Sequence, residues 1–401
     1  MMNIVDSKYQ RVYAKINIDA LLDNFNNISN AVNENTKIMA VLKTDAYGHG
    51  AVPIAKALES NEKLYGFALA TAEEALILRN SGITRPLLVL GYTFPNVYEE
   101  LILKNVTLTV FKKDMIKDIV TACRKLSSTE YHYHARVHIK VDTGMGRIGI
   151  TPDEDGIEFI KEVLSYPEIK VQGIFTHFPK ADEEDREYTL NQIKVFKDFT
   201  ERVTNATGYD IPIKHMSNSA GIIEYPEANM NIVRAGIILY GMWPSEFVSK
   251  DKVSLKPVLS LHSQIVFIKD VVKGTPISYG GTFVAQEDMK VATVPVGYGE
   301  GYPRTLSNKA DVLVRGVRCP ILGRVCMDQL MIDVSNVDGV KEYDHVTLIG
   351  KDGSESITME ELGDISGRFN YEMSCDLGKR IPRVFTRDNR ITYTKDYYQD
   401  F

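Results

Sequence analysis

Short apolar runs alternate with longer stretches of helical periodicity through the first 240 residues. After AKINI (14–18), apolar runs recur at 37–43, 65–70, 86–91, 106–111, 136–143, 171–177, 213–217 and 232–240. Between them, apolar residues three and four apart mark amphipathic stretches at 19–32, 72–81, 113–126, 152–165 and 186–206. With AKINI set aside, eight strands remain, each next to a helix. Regular βα alternation means parallel strands, and eight of them predict a (β/α)8 barrel of the TIM type. An open doubly wound sheet is the alternative. No GxGxxG follows the early strands, which weakens any dinucleotide reading.

From about residue 255 the pattern changes to alternating runs such as VLSLHSQIVFI, KVATVPV, DVLVRGVRC, QLMIDV and HVTLIG, separated by Gly, Pro, Asp and Asn. They predict a mainly antiparallel β domain with one helix at 358–366. Two domains are therefore expected, an α/β barrel over 1–250 and a C-terminal β domain over 251–401, with no long linker between them.

A barrel carries its chemistry at the C-terminal ends of its strands, and the chain concentrates reactive residues there. Lys43 ends the first barrel strand within AVLKTDAYGHG (40–50), beside Tyr47 and two glycines. Burial would depress the lysine pKa and free its amine to act as nucleophile or base; the plain alternative is a lysine reaching out to solvent at a strand end. Asp142 and Arg147 follow the fifth strand, His177 ends the sixth, and Asn218 and Ser219 follow the seventh. On the fifth strand Val137, Ile139 and Val141 alternate with Arg136, His138, Lys140 and Asp142. The polar set would face the barrel interior, which is costly unless its members pair.

SNSAG (217–221) offers hydroxyls and N–H groups at a helix start, as an anion site or as a simple N-cap. Arg234, inside IVRAGIILYG, must find acceptors because it keeps its charge. His132, His134 and His138 share a parity, but no cysteine or carboxylate set completes a metal site, and none is expected. His215 reads as a satisfied buried histidine. In the β domain, Tyr279 precedes a Gly-Gly turn and Tyr298 lies in VPVGYGEGYPR; on composition alone both are turn residues.

Composition adds exclusions. The 401 residues carry a net charge of −6, so no basic surplus points to nucleic acid. No run approaches the length of a membrane span and the N-terminus lacks the apolar core of a signal peptide, so a cytoplasmic protein is expected. Four cysteines form no CxxC pair and no disulfide framework.

Taken in order, AVLKTDAYGHG, KVDTGMGRIG, THF, HMSNSAG, VRAGIILYG, SYGGTF, VGYGEGYPR, GRVCMDQ and NYEMSC resemble the alanine racemase family, enzymes of pyridoxal 5′-phosphate (PLP) with a barrel and a C-terminal β domain. The resemblance runs from near residue 14 to near residue 385. It implies Lys43 as the residue that carries PLP covalently and as one acid–base group. Tyr279, from the partner in a head-to-tail homodimer, is implied as the opposing one. Tyr47, Ser219, Gly236, Ile237 and Tyr371 match positions that bind the phosphate. Arg234 would face the pyridine nitrogen with His177 nearby, and Asn218 joins the cofactor set. Arg147 would bind the phenolic oxygen and the substrate carboxylate, and Met327 and Tyr298 would complete the pocket. Lys140 matches a lysine that many members carry as a carbamate. The implied reaction interconverts L- and D-alanine and supplies D-alanine for peptidoglycan. A racemase of serine or another amino acid and a barrel-type PLP decarboxylase are the alternatives. Thr44, Pro179 and Glu300 depart from the family pattern without removing a catalytic group.

Overall fold

The computed structural model describes residues 9–128 and 131–398; the first eight residues of the signal-peptide reading lie outside them. The chain begins with strand β1 (Val12–Asn17), whose last residue caps the helix Ile18–Ala31 by accepting from the N–H groups of Asp19 and Ala20. Eight parallel strands follow. They are β2 (Lys37–Val41), β3 (Leu64–Leu69), β4 (Leu87–Val89), β5 (Thr107–Val110), β6 (Ala135–Lys140), β7 (Ile169–Phe175), β8 (Ile213–His215) and β9 (Ile232–Ala235). Their order, β8-β7-β6-β5-β4-β3-β2-β9, is that of a near-closed barrel. Between β8 and β9 no ladder forms among the described residues. There the Arg234 N–H donates to the Ser217 carbonyl and the Lys214 N–H to Asn231 Oδ1, each at 3.0 Å.

The strands are short and buried from both sides, as apolar runs in a parallel sheet should be: Ile38, Met39, Ala40 and Val41 are all buried. The helices predicted from periodicity lie at Ile18–Ala31, Ala72–Asn80, Lys113–Leu126, Glu154–Leu164 and Glu187–Thr207. The helix Lys113–Leu126 buries Met115, Ile116, Ile119, Val120 and Cys123 on one face. The run at 232–240 does not continue as one strand. It breaks at Gly236 (φ −101°, ψ −111°) into a 3-10 turn, Ile237–Tyr240. Two short helices, Tyr98–Leu103 and Asn370–Cys375, were not foreseen.

The rest of the chain supplies β10 (Leu259–Gln264), β11 (Phe267–Val271), β12 (Pro276–Ile277), β13 (Phe283–Val284), β14 (Met289–Val294), β15 (Asp311–Val314), β16 (Val317–Leu322), β17 (Leu330–Asp333), β18 (His345–Asp352), β19 (Glu355–Ile357), β20 (Arg383–Arg387) and β21 (Arg390–Lys395). Their sheet runs β11-β14-β17-β16-β15-β18-β10-β1-β20-β21, with β19 on β18 and β12-β13 as a separate ribbon. The division at residue 250 therefore needs one correction. It counted β1 with the barrel, but β1 pairs antiparallel with β10 and parallel with β20 (Ala14 opposite Leu261 and Arg383). The alternation in AKINI identifies a strand but carries no information about which sheet will take it. The expected helix at 358–366 is Met359–Ser366, capped by Thr358. Among the described residues no helix is long and apolar enough to cross a membrane.

Candidate active site

The chain leaves β2 at the C-terminal mouth of the barrel and enters a turn that L residues avoid. Thr44, Asp45, Ala46 and Tyr47 have φ between 50° and 58°, and Gly48 continues at 81°, so a left-handed helical turn begins at the residue after Lys43. Each non-glycine residue there costs about 1–2 kcal/mol, so the turn persists only because its surroundings hold it. Glu74 accepts the Thr44 N–H (2.5 Å). Asp45 Oδ1 accepts the Ala51 N–H (2.7 Å) at the start of the helix Ala51–Leu58. His49 Nδ1 donates to the carbonyls of Tyr47 and Ala46. Tyr240 packs on both Tyr47 and His49, with centroids 5.1 and 4.5 Å apart.

Lys43 projects from this turn into a cavity of about 350 Å³ at the barrel mouth. Tyr47, Lys140, Arg147, His177, Asn218, Ser219, Arg234, Gly236, Ile237 and Tyr371 line the same cavity. These candidates are scattered over more than 300 positions of sequence, and the fold brings them together. Tyr279, Tyr298 and Met327 do not line it. They form a separate group on the β domain and are 69, 42 and 52 % exposed. Bonds tie their loops: Tyr298 N–H to the Cys326 carbonyl (3.1 Å), Gly299 N–H to the Met327 carbonyl (2.8 Å) and, beside Tyr279, the Ser278 hydroxyl to the Arg324 carbonyl (2.6 Å).

Arg234 is 3 % exposed and is held from several sides. Its Nη2 donates to the carbonyls of Thr176 (2.8 Å) and Met216 (2.7 Å) and its Nη1 to His215 Nδ1 (2.8 Å), while His177 Nδ1 lies 3.2 Å from Nη2. A guanidinium only donates, so His215 accepts through Nδ1 and carries its proton on Nε2. His215 Nε2–H in turn donates to His138 Nδ1 (3.0 Å), and the absence of a Cβ at Gly173, which would lie 2.6 Å from the His138 ring, makes room for it. Burial and then Arg234 hold His177 and His215 well below the ordinary histidine range, and burial pushes His138 down to about 3. His138 on the fifth barrel strand is thus paired, and His215, read as a satisfied buried histidine, is also a supporting link to Arg234. His132 and His134 precede β6 and stay outside this chain of bonds.

The remaining electrostatics are those of an anion site. Burial, then Arg147, lowers the Lys43 pKa. Burial pushes Lys140 down to about 8, and Arg234 and Arg147 act in the same direction. Lys140 is 2 % exposed and donates to the Val141 carbonyl (2.6 Å). The charge of Asp142 opposes the shift of Lys140, and its Oδ1 accepts the N–H groups of Gly144, Met145 and Gly146 and shapes the loop that carries Arg147. At one side of the cavity Tyr47, Ser219 and Gly236 converge. The Gly236 N–H donates to Ser219 Oγ (3.0 Å), and a Cβ on Gly236 would lie 2.9 Å from the Tyr47 hydroxyl and 3.3 Å from Ser219 Oγ. Burial raises the pKa values of Tyr47 and Tyr371, so both hydroxyls keep their protons and can donate to an anion. These residues fit a phosphorylated cofactor with a carbonyl for Lys43. Asn218 caps the helix Ser219–Glu224 by accepting from Gly221 N–H and donates to the Phe178 carbonyl (3.1 Å), so its side chain chiefly holds the loop. Asp182, from the loop after β7, lines the cavity too. Sequence reasoning passed over it as one acid in the run DEED.

Residues 16–244 match the family description "Alanine racemase, N-terminal domain", and residues 258–385 match "Alanine racemase, C-terminal domain". Curated alanine racemases are similar along most of their length. That of Methanococcus maripaludis is 42 % identical over 93 % of this chain and 98 % of its own, and that of Halothermothrix orenii is 44 % identical over 93 and 96 %. Among solved structures, alanine racemase from Clostridium difficile 630 aligns with a TM-score of 0.91 at 39 % identity, covering 97 % of this chain and 99 % of that one. A histidine racemase from Leuconostoc mesenteroides aligns at 0.85 with 31 % identity, covering 95 and 99 %.

Proposed function

The chain belongs to the alanine racemase family, and from that membership we propose that it interconverts L- and D-alanine with PLP by proton transfer between two opposed groups, Lys43 and the Tyr279 of a second copy. PLP, once bound, supplies the electron sink that makes the α-proton of an amino acid removable. The observation that carries the reading is the meeting of Lys43, the Tyr47–Ser219–Gly236 cradle and the enclosed Arg234 in one cationic cavity. Tyr47, Ser219, Tyr371 and the N–H groups at Gly236 and Ile237 would hold the phosphate. Arg234 would donate to the ring nitrogen without delivering a proton to it, because the guanidinium stays charged. His177, neutral and oriented by Arg234, and Asn218, which fixes the Ser219 loop, support that wall.

Racemisation needs one group to take the α-proton and another to deliver a proton from the opposite face. Lys43, its pKa lowered by burial and Arg147, would be the group on one face. The opposing group in this reading is Tyr279, which does not line the cavity of its own chain. Tyr279 is exposed on the β domain beside Tyr298 and Met327, the arrangement expected of a surface that completes a neighbour's site in a head-to-tail homodimer. Arg147 would bind the substrate carboxylate. Lys140, with its pKa near 8, holds enough neutral amine near pH 8 to capture carbon dioxide, and a carbamate there would turn a cation facing Arg147 into its counter-charge. In the cell this reading gives a cytoplasmic supplier of D-alanine for peptidoglycan.

The test is incubation of PLP-loaded protein with single L-amino acids in deuterated water, following α-deuterium and chirality. Alanine exchanging and racemising fastest supports the proposal. Faster turnover of serine or histidine moves the substrate, and decarboxylation or no exchange overturns the reaction. Histidine belongs in the panel because a structural neighbour bears that description.

A further inference from the structure

The left-handed turn that presents Lys43 is gripped from the far end of the chain. Asp45, its second residue, uses Oδ2 to accept from Lys395 Nζ (2.9 Å) and from the Tyr397 hydroxyl. Arg383 Nε donates to the Gly48 carbonyl (3.0 Å), and its other N–H groups go to the carbonyls of Leu377, Gly378 and Ile381. The Tyr397 ring is covered by the Arg383 guanidinium at 5.4 Å and by Lys395 Nζ at 4.5 Å. Phe385 on β20 stands where a Cβ on Gly50 would be, 2.7 Å from its Cζ. Both the carboxylate inside the turn and the carbonyl that closes it are therefore bonded to β20, β21 and the residues just beyond. None of these lines the Lys43 cavity.

This grip is placed where it can set chemistry as well as stability. Thr44 follows Lys43 directly, and its φ of 56° belongs to a region that threonine seldom occupies. If the turn relaxed toward ordinary backbone angles, the direction in which Lys43 leaves the chain would rotate with it. Glu74 holds the Thr44 N–H from the barrel side, but Asp45 and Gly48 are held from the C-terminal hairpin. Asp45 is suited to the task because Lys395 and Tyr397 keep its carboxyl charged against the cost of burial.

We propose that the β20–β21 hairpin and Tyr397 form a brace that sets the position of Lys43, with Asp45, Lys395 and Tyr397 as positioning residues that touch neither substrate nor cofactor. The consequence for the cofactor rests on the reading of Lys43 as its covalent anchor; the consequence for the turn does not.

The test uses the full chain and the variants Tyr397→Phe, which removes one hydroxyl, and Lys395→Met with Tyr397→Phe. Without PLP, hydrogen exchange of the peptide covering 43–50 should quicken about tenfold in the double variant while that of 113–126 stays unchanged. With PLP, release from the double variant should be about tenfold faster, and the pH midpoint of the absorbance of PLP fixed on Lys43 should shift, with Tyr397→Phe moving both readouts in the same direction. A merely structural contact would lower the melting temperature and leave the midpoint in place. Exchange at 43–50 within about twofold of the wild type, or an unmoved midpoint with unchanged PLP release, overturns the brace. If borohydride fails to fix PLP on Lys43 of the wild type, the cofactor reading fails; the exchange result still decides whether the hairpin holds the turn.

Discussion

At the scale of single residues, the cavity is specified as much by what is missing as by what is present. At Gly236 a Cβ would crowd the Tyr47 hydroxyl and Ser219 Oγ. Gly236→Ala should therefore weaken PLP binding by about 10–100-fold, measured as the PLP Kd beside the melting temperature of the PLP-free chain. Lys140 makes a second residue-scale prediction. Its depressed pKa leaves the amine open to carbon dioxide near pH 8, whereas acid protonates it and releases a carbamate. Protein prepared without bicarbonate below pH 6 should lose activity and regain it with bicarbonate at pH 8, and Lys140→Met should be indifferent to both. Of these residues, Lys140 and Arg234 were legible in the sequence because a charge on a barrel strand is costly unless paired. Their partners were not legible. His215, His177 and the carbonyls of Thr176 and Met216 reach Arg234 only once three strands close around it. Asp182 gave no signal at all among its acidic neighbours.

At the scale of elements, hydrophobic periodicity located the barrel strands and their long helices to within a few residues, because each buries one continuous apolar run or stripe. It failed where tertiary contacts overrule local preference. Nothing in TDAY asks for a left-handed turn; glycine at 48 is the only residue there that adopts it freely, and the other four are held by Glu74, Ala51 and the C-terminal hairpin. Burial of histidine is a further element-level property, and it has a pH signature. His138 on β6 titrates near 3 and His49 near 4 in the folded chain, both lowered chiefly by burial from the usual value near 6.5. The folded state therefore binds fewer protons than the unfolded state between those limits. Their contribution is complete above pH 6.5 and is lost as pH falls toward 4 for His49 and toward 3 for His138. Each should withdraw about 2 kcal/mol between neutrality and pH 5. Urea unfolding of the PLP-free chain at pH 7 and pH 5, at one protein concentration, should show that difference shrinking by about 2 kcal/mol in His138→Gln. An unchanged difference would mean that His138 is already charged when folded.

At the scale of the whole molecule, the two sheets divide the proposed chemistry. The barrel carries Lys43 and the groups around it apart from Tyr371, which comes from the helix Asn370–Cys375, while the β domain displays Tyr279, Tyr298 and Met327 outward. Tyr279 is 69 % exposed and absent from the cavity of its own chain, so under the proposed mechanism a second copy would supply it. Mixing variants tests this directly. Lys43→Ala and Tyr279→Phe chains should each be nearly inactive alone. If each site takes Lys43 from one chain and Tyr279 from the other, a mixed dimer holds one doubly altered site and one intact site. With random exchange, half the dimers are mixed and half of their sites are intact, so activity should recover to about a quarter of the wild-type value. If both groups instead came from one chain, every site would keep one defect in any mixture, and no activity would return. Recovery should also fall on dilution, as the dimers that create the intact sites dissociate.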